Sequence, residues 1–223
     1  IREGNERVLA ARLADAKFFF DEDRKTSLAD RVAKQLAVTF HQKLGSLHQK
    51  TQRVVAMAAH VAGQLGDDQL IHDCRRAAEL SKADLLTGIV GEFPTLQGLM
   101  GGEYAKHDGE SPVVSAAIRE QYMPRAMEGE LPESLAGKVL SLADRLDSIA
   151  GFFLVGMVPS GSEDPFALRR HATAIVRIVI ESKLRLNLAQ AVRAAQDVLS
   201  GQNVVAAPQS GKGGAPDVIG FLF

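Results

Sequence analysis

Asp144 and Asp147 stand three residues apart in the run Leu142-Ala143-Asp144-Arg145-Leu146-Asp147, a spacing that lets both carboxylates lean toward one side of a helix. Asp147 beside Arg145 reads as a solvated pair. Asp144 falls nearer the apolar side set by Leu140 and Ala143, where an ionised carboxylate needs a metal, a Lys or Arg, or backbone donors. A metal partner would point to phosphate-ester hydrolysis, whereas a basic side chain would make Asp144 half of an internal ion pair, the default for such a residue. The histidines (His41, His48, His60, His72, His107 and His171) match no zinc spacing and no metalloprotease motif. His72-Asp73 could supply a two-residue metal-ligand motif, yet Gln69, Arg75 and Arg76 around it describe a solvated helix face. No Gly-x-Ser-x-Gly elbow is present, and Cys74 has no evident base, so nucleophilic catalysis finds no support. Ser210-Gly211-Lys212-Gly213-Gly214 lacks the spacing and the Ser/Thr of a phosphate loop and reads as linker.

The elements that must position these groups are helices. Residues 5–24 predict a helix with Val8, Leu9, Leu13, Ala16 and Phe20 on its apolar face. Thr26 or Ser27 caps a second, carrying Leu28, Val32, Leu36, Phe40 and Leu44 at four-residue spacing as far as Gly45. Ser46 opens a third that stops near residues 63–66, and Asp67 or Asp68 opens a fourth reaching Ile89. Gly91-Glu92-Phe93-Pro94 makes a corner before a helix over 95–104, whose end Gly101-Gly102 should loosen. Ser111-Pro112 starts a short helix, Ser134 a long one to about Phe153, Asp164-Pro165 another, and Asn187 the next. Residues 201–215 are rich in Gly, Ala, Pro, Ser and Gln and read as a flexible linker, with Pro216-Asp217 beginning a further helix. No alternating pattern longer than four residues appears, so the fold class is all-α.

Composition agrees. The 223 residues are 46% hydrophobic with no Trp, and can bury one sizeable core or two modest ones. No apolar run approaches the roughly 18 residues that span a bilayer, so no membrane association is expected. The single Cys excludes an internal disulfide and suits a reducing, cytoplasmic setting. Both ends read as cut from a longer protein. The net charge of −1 demands that any nucleic-acid surface be local. Residues 103–133 carry seven acidic and three basic side chains, while residues 165–200 carry six basic and two acidic, so the second stretch is the candidate basic surface.

A set of motifs then identifies a family. Asn5-Glu6-Arg7-Val8, Arg12-Leu13-Ala14-Asp15-Ala16, Phe18-Phe19-Phe20, Lys43-Leu44-Gly45-Ser46-Leu47, Lys82-Ala83-Asp84-Leu85, Gly91-Glu92-Phe93-Pro94, Leu96-Gln97-Gly98, the Leu142 to Asp147 run and Asp164-Pro165-Phe166-Ala167-Leu168-Arg169-Arg170 occur in family order. Together they resemble the β subunit of the bacterial-type, heterotetrameric glycyl-tRNA synthetase.

That resemblance implies an HD-domain-like multi-helix bundle over residues 1–200. Residues 201–223 would then lead into a helical anticodon-binding domain. Working HD domains hold a metal through a His, a His-Asp pair and a distant Asp. Here Ser81-Lys82 stands at the place of the His-Asp pair and Asp144 at that of the distant Asp. A hydroxyl and an ammonium cannot replace an imidazole and a carboxylate around a divalent ion. The resemblance therefore implies a degenerate, metal-free site with Lys82 paired to Asp144 and no catalytic residue. It further implies a tRNA partner and an α subunit in an α2β2 tetramer. That α subunit would activate glycine with ATP and Mg2+, leaving this chain without a cofactor of its own. The candidate tRNA-contacting residues are Arg169, Arg170, Arg177, Lys183 and Arg185 first, then Lys43, Lys50 and Arg53. The alternatives are an active metal phosphohydrolase and a purely structural scaffold at a subunit interface.

Overall fold

The computed structural model describes residues 2–202, 204, 206 and 217–222. Its elements, in order, are α1 (Arg2–Asp23), α2 (Leu28–Val32), β1 (Thr39–His41), β2 (Gly45–Ser46), α3 (Leu47–Leu65), α4 (Asp68–Leu80), α5 (Gly88–Glu92), α6 (Leu99–His107), α7 (Pro112–Glu120), α8 (Leu135–Leu154), α9 (Leu168–Glu181), α10 (Leu188–Gly201) and α11 (Val218–Leu222). Short 3₁₀ turns fill Ala33–Ala37, Ala83–Leu86 and Pro94–Leu96. The all-α class holds, with one small antiparallel hairpin of β1 and β2.

Side-chain caps start the helices where the sequence places them. Ser27, Asp67, Ser111, Ser134 and Asn187 each accept a hydrogen bond from the backbone N–H three residues on. Ser46 and Gln49 form a reciprocal capping box. The centre of the fold is α8. It is buried on almost every side from Ala136 to Phe153, with α3, α7, α9 and α10 packed around it. A helix enclosed on all faces is expected to be apolar throughout, yet α8 also buries Ser141, Asp144, Arg145, Asp147 and Ser148.

Four expectations are corrected. The helix expected from Leu28 to Gly45 stops at Val32, and Leu36 is 63% exposed, so the four-residue apolar spacing is not a helix face. Leu44 is instead buried from the hairpin turn, where Gly45 has φ +85°. The helix expected to run from Asp67 to Ile89 ends at Leu80. Ser81 turns its hydroxyl onto the Ala78 carbonyl, and Thr87 starts a new short helix by capping Val90. Gly101 and Gly102 lie within α6 rather than loosening its end. A Cβ at Gly102 would sit 2.8 Å from Arg119 Cβ and 2.9 Å from the Ser115 carbonyl, so these glycines let α6 and α7 approach closely. In α1, Val8, Leu9 and Leu13 are each at least 60% exposed, and it is the C-terminal end that packs, with Phe20 stacked on Tyr104.

The start of α9 shows how a cap acts at a distance. Helix begins at Leu168 rather than at Pro165, behind Ala167 in a left-handed conformation. The Asp164 carboxylate still accepts from the N–H groups of Leu168 and Arg169, at 2.7 and 3.0 Å. Most of the linker expected over 201–215 lies outside the described residues. Val218–Leu222 is helical and set against α8, α9 and α10, with Phe221 4.9 Å from Phe153.

Candidate functional site

The two aspartates of α8 organise a buried charge cluster. Lys82, in the turn after α4, places Nζ 3.0 Å from Asp144 Oδ2, the pairing that the family resemblance implies. The same ammonium donates to Gln121 Oε1 at 2.9 Å and to the Tyr122 hydroxyl at 3.3 Å. From α3, Lys50 Nζ sits 2.9 Å from Asp144 Oδ1, an ion pair whose angle lies outside hydrogen-bond geometry. Lys50 also donates to Asp147 Oδ2 and to Ser148 Oγ, each at 2.9 Å. One turn along α3, Arg53 is fully buried and donates to Asp147 Oδ1 at 2.6 Å, to the Leu44 carbonyl and to Gln202 Oε1.

Electrostatics follow from this packing. Burial opposes ionisation of Asp144, but the ammoniums of Lys50 and Lys82 outweigh it and hold the carboxyl far below its ordinary range. Burial raises Asp84, partly offset by the Gly98 N–H that donates to it at 2.6 Å. Burial, with Asp84 and Asp144 adding to it, keeps the Tyr122 hydroxyl protonated. Burial pushes His171 down to about 4, so its imidazole is neutral near pH 7. The cluster thus holds three cations (Lys50, Arg53, Lys82) against two carboxylates and carries a net positive charge.

Two expectations about charge are corrected here. Lys50 and Arg53, second among the candidate tRNA-contacting residues, are 4% and 0% exposed and hold Asp144 and Asp147. Asp147 is not a solvated partner of Arg145. It is 2% exposed on α3's cations, while Arg145 is itself buried and donates to the carbonyls of Gln121, Tyr122 and Pro124. A signal for the first correction was present in the sequence: Lys50, Arg53, Val54, Met57 and Val61 share one stripe of α3. The parts played by Arg145 and Gln121 carried no such signal, because they depend on where the segment after α7 crosses α8.

The donor set does not fit a divalent ion. Ser81 Oγ is turned 2.8 Å from the Ala78 carbonyl, and an ammonium stands against each Asp144 oxygen. Among the described residues, no three His, Cys, Asp or Glu gather as metal ligands. His72 is 79% exposed on α4 and lines no cavity with Asp144. Cys74 is fully buried, and its thiol is pushed up to about 12 by burial, with Asp73 adding to it.

The remaining candidate cations do not form one patch. Arg169 and Arg170 are exposed at the first turn of α9, and Lys183 and Arg185 beyond its end, about 20 Å away along the helix axis. Arg177 between them is engaged by Glu181 and the Gly129 carbonyl. Exposed Lys43 reaches the Val155 carbonyl at 3.4 Å. Arg170 has no ion-pair or hydrogen-bond partner among the described residues. It lines a cleft of about 1360 Å3 whose walls include Pro94, Arg119, Arg125 and His171.

A family model described as "Glycyl-tRNA synthetase beta subunit" matches residues 1–221. The chain is 50% identical over 198 residues to the glycine--tRNA ligase beta subunit of Janthinobacterium sp. (strain Marseille), covering 89% of this chain and 28% of that protein. The corresponding protein of Geobacter sp. (strain M21) is 49% identical over 198 residues, covering 89% of this chain and 29% of its own length. That of Nitrosomonas europaea is 44% identical over 226 residues, covering 100% of this chain and 32% of its own length. The chain therefore spans roughly 30% of the length of these relatives.

Proposed function

The chain belongs to the glycyl-tRNA synthetase β-subunit family, and we propose that it acts there as a non-catalytic, HD-like module that binds and positions tRNA. Glycine and ATP chemistry, with Mg2+, is assigned to a separate α subunit in an α2β2 assembly in the cytoplasm. The observation that carries the non-catalytic half is the Lys50–Asp144–Lys82 arrangement. Asp144 is the carboxylate a phosphohydrolase would need on its metal, and it is neutralised by two buried ammoniums.

The tRNA half is supported by Arg170, which lines the large cleft and is unpartnered among the described residues, with exposed Arg169 next to it in the chain. Arginine at such a place can engage phosphates and ribose hydroxyls, the features a protein reads on duplex RNA. The test is tRNA binding by the assembled enzyme carrying Arg169→Ala and Arg170→Ala. The reading expects weaker binding and a salt slope reduced by about one to two, with glycyl-adenylate formation unchanged. Unchanged affinity and slope would remove this surface from the interface.

A scaffold role has one observation of its own, the exposed Val8, Leu9 and Leu13 on α1. Hydroxyl-radical footprinting of the assembled enzyme with and without tRNA separates the readings. Protection of α1 that does not depend on tRNA, with none at Arg169 and Arg170 on adding tRNA, favours the scaffold.

A further inference from the structure

A second cavity, of about 340 Å3, adjoins the cleft, and the two share Tyr122, Asp144 and His171 in their walls. Its lining is dominated by rings. Phe152 and Phe166 stack at 3.9 Å with planes 15° apart, and His41 stands edge-on to both at 5.4 and 5.7 Å. Phe40 lies 6.2 Å from Phe152, and Leu85 is 37% exposed at the rim. Cations back the aromatic walls, with Lys50 Nζ 4.9 Å from the Phe40 ring and Lys82 Nζ 4.3 Å from the Tyr122 ring.

We infer that this pocket takes an unpaired, purine-sized nucleobase whose phosphate lies outside it, in the wide cleft beside Arg170. The volume sits at the small end of ligand pockets, enough for a base with its ribose. Ring-lined walls favour stacking, a contact tolerant of base identity. The net positive charge behind the rings disfavours a cationic occupant and suits an anionic nucleotide.

The hydrogen-bond inventory fixes the orientation. Lys50 donates to the Asp144 carbonyl, Asp147 and Ser148, and Lys82 to Asp144, Gln121 and Tyr122, so neither ammonium keeps a free N–H for a phosphate. Among the described residues, Arg170 is a cleft-lining guanidinium without a partner, across the shared wall. The occupant is a free nucleotide or the unpaired end of an RNA strand, which share this chemistry. The inference extends the tRNA reading but rests on the pocket alone.

The experiment uses the assembled full-length enzyme and 2-aminopurine, whose fluorescence is quenched on stacking. The probes are 2-aminopurine riboside, its 5′-monophosphate, the same base at the end of a single-stranded oligoribonucleotide, and the same base within a duplex. Quenching of the free nucleotide identifies a small-molecule site, and quenching of the strand end alone identifies an RNA-terminus site. Either supports the pocket if Phe166→Leu and the rim-filling Leu85→Trp each weaken binding at least tenfold. Arg170→Ala should weaken the monophosphate but not the riboside. Quenching that either pocket variant leaves unchanged, or no quenching of either single-stranded probe, overturns the inference. Leu85 is partly exposed, so its replacement tests the pocket without depending on the core, and far-UV circular dichroism checks both folds. Loss of tRNA affinity on Arg169→Ala with quenching of the riboside retained would uphold the tRNA surface and the pocket separately.

Discussion

Replacing Asp144 by Asn should cost more stability than replacing Lys82 by Met, and the order follows from charge. Asp144 lies between two ammoniums, with Lys82 3.0 Å from one oxygen and Lys50 2.9 Å from the other. Asp144→Asn leaves three buried cations facing Asp147 alone. Breaking one partner of a buried pair costs about 3–5 kcal/mol, and here two pairs lose the same partner, so the upper end is expected. Lys82→Met leaves Lys50 on Asp144 and Arg53 on Asp147, a balanced set. Its cost is the lost pairing and the orphaned Gln121 Oε1, roughly 2–3 kcal/mol. The double variant Lys82→Met/Asp144→Asn should fall short of the sum of the two single variants by about 0.5–3 kcal/mol, because it removes partners together. Urea unfolding followed by far-UV circular dichroism gives these differences from midpoint and slope. A loss below about 1 kcal/mol for Asp144→Asn, or strict additivity in the double variant, would refute the idea that the cluster is a mutually compensating unit. The pH dependence supplies a second check. With its folded-state titration held below the ordinary value of 3.8, Asp144 contributes stability that is present above that pH and lost as pH falls below it. Asp144→Asn should flatten that acid limb.

Other outcomes follow from the same structure. His171 is held at about 4 against an ordinary 6.5, mainly by burial, with Asp144 opposing the shift and Arg145, Lys50 and Lys82 adding to it. The unfolded chain therefore takes up its proton first, so stability should fall by up to roughly 3 kcal/mol between pH 6.5 and 4, and His171→Phe should remove that slope in urea titrations. Gly102→Ala should destabilise by about 1–3 kcal/mol, because its Cβ meets backbone of α7 at 2.9 Å, whereas Gly91→Ala, with nothing within 4 Å, should be neutral or slightly stabilising in thermal melts. Ser46→Ala should cost about 1 kcal/mol by removing the capping box at the start of α3.

The sequence by itself determined the class of structure, most helix starts, the family and one central contact. Caps are local, since a Ser, Asp or Asn three residues before a backbone donor needs no distant partner, and five of them lie where the sequence places them. The Lys82–Asp144 pair was legible through the family's motif order. Tertiary structure decided the rest. It stopped helices at Val32 and Leu80, where burying Leu44 and bringing Lys82 to Asp144 outweighed continued helical periodicity. It also moved Lys50 and Arg53 from the surface to the interior. Those two fates cannot be told apart from residue type, because a Lys on an apolar stripe can extend to water or fold onto a buried carboxylate. The choice rests on α8 presenting Asp144 and Asp147 to the stripe of α3, and that juxtaposition spans more than ninety residues of chain.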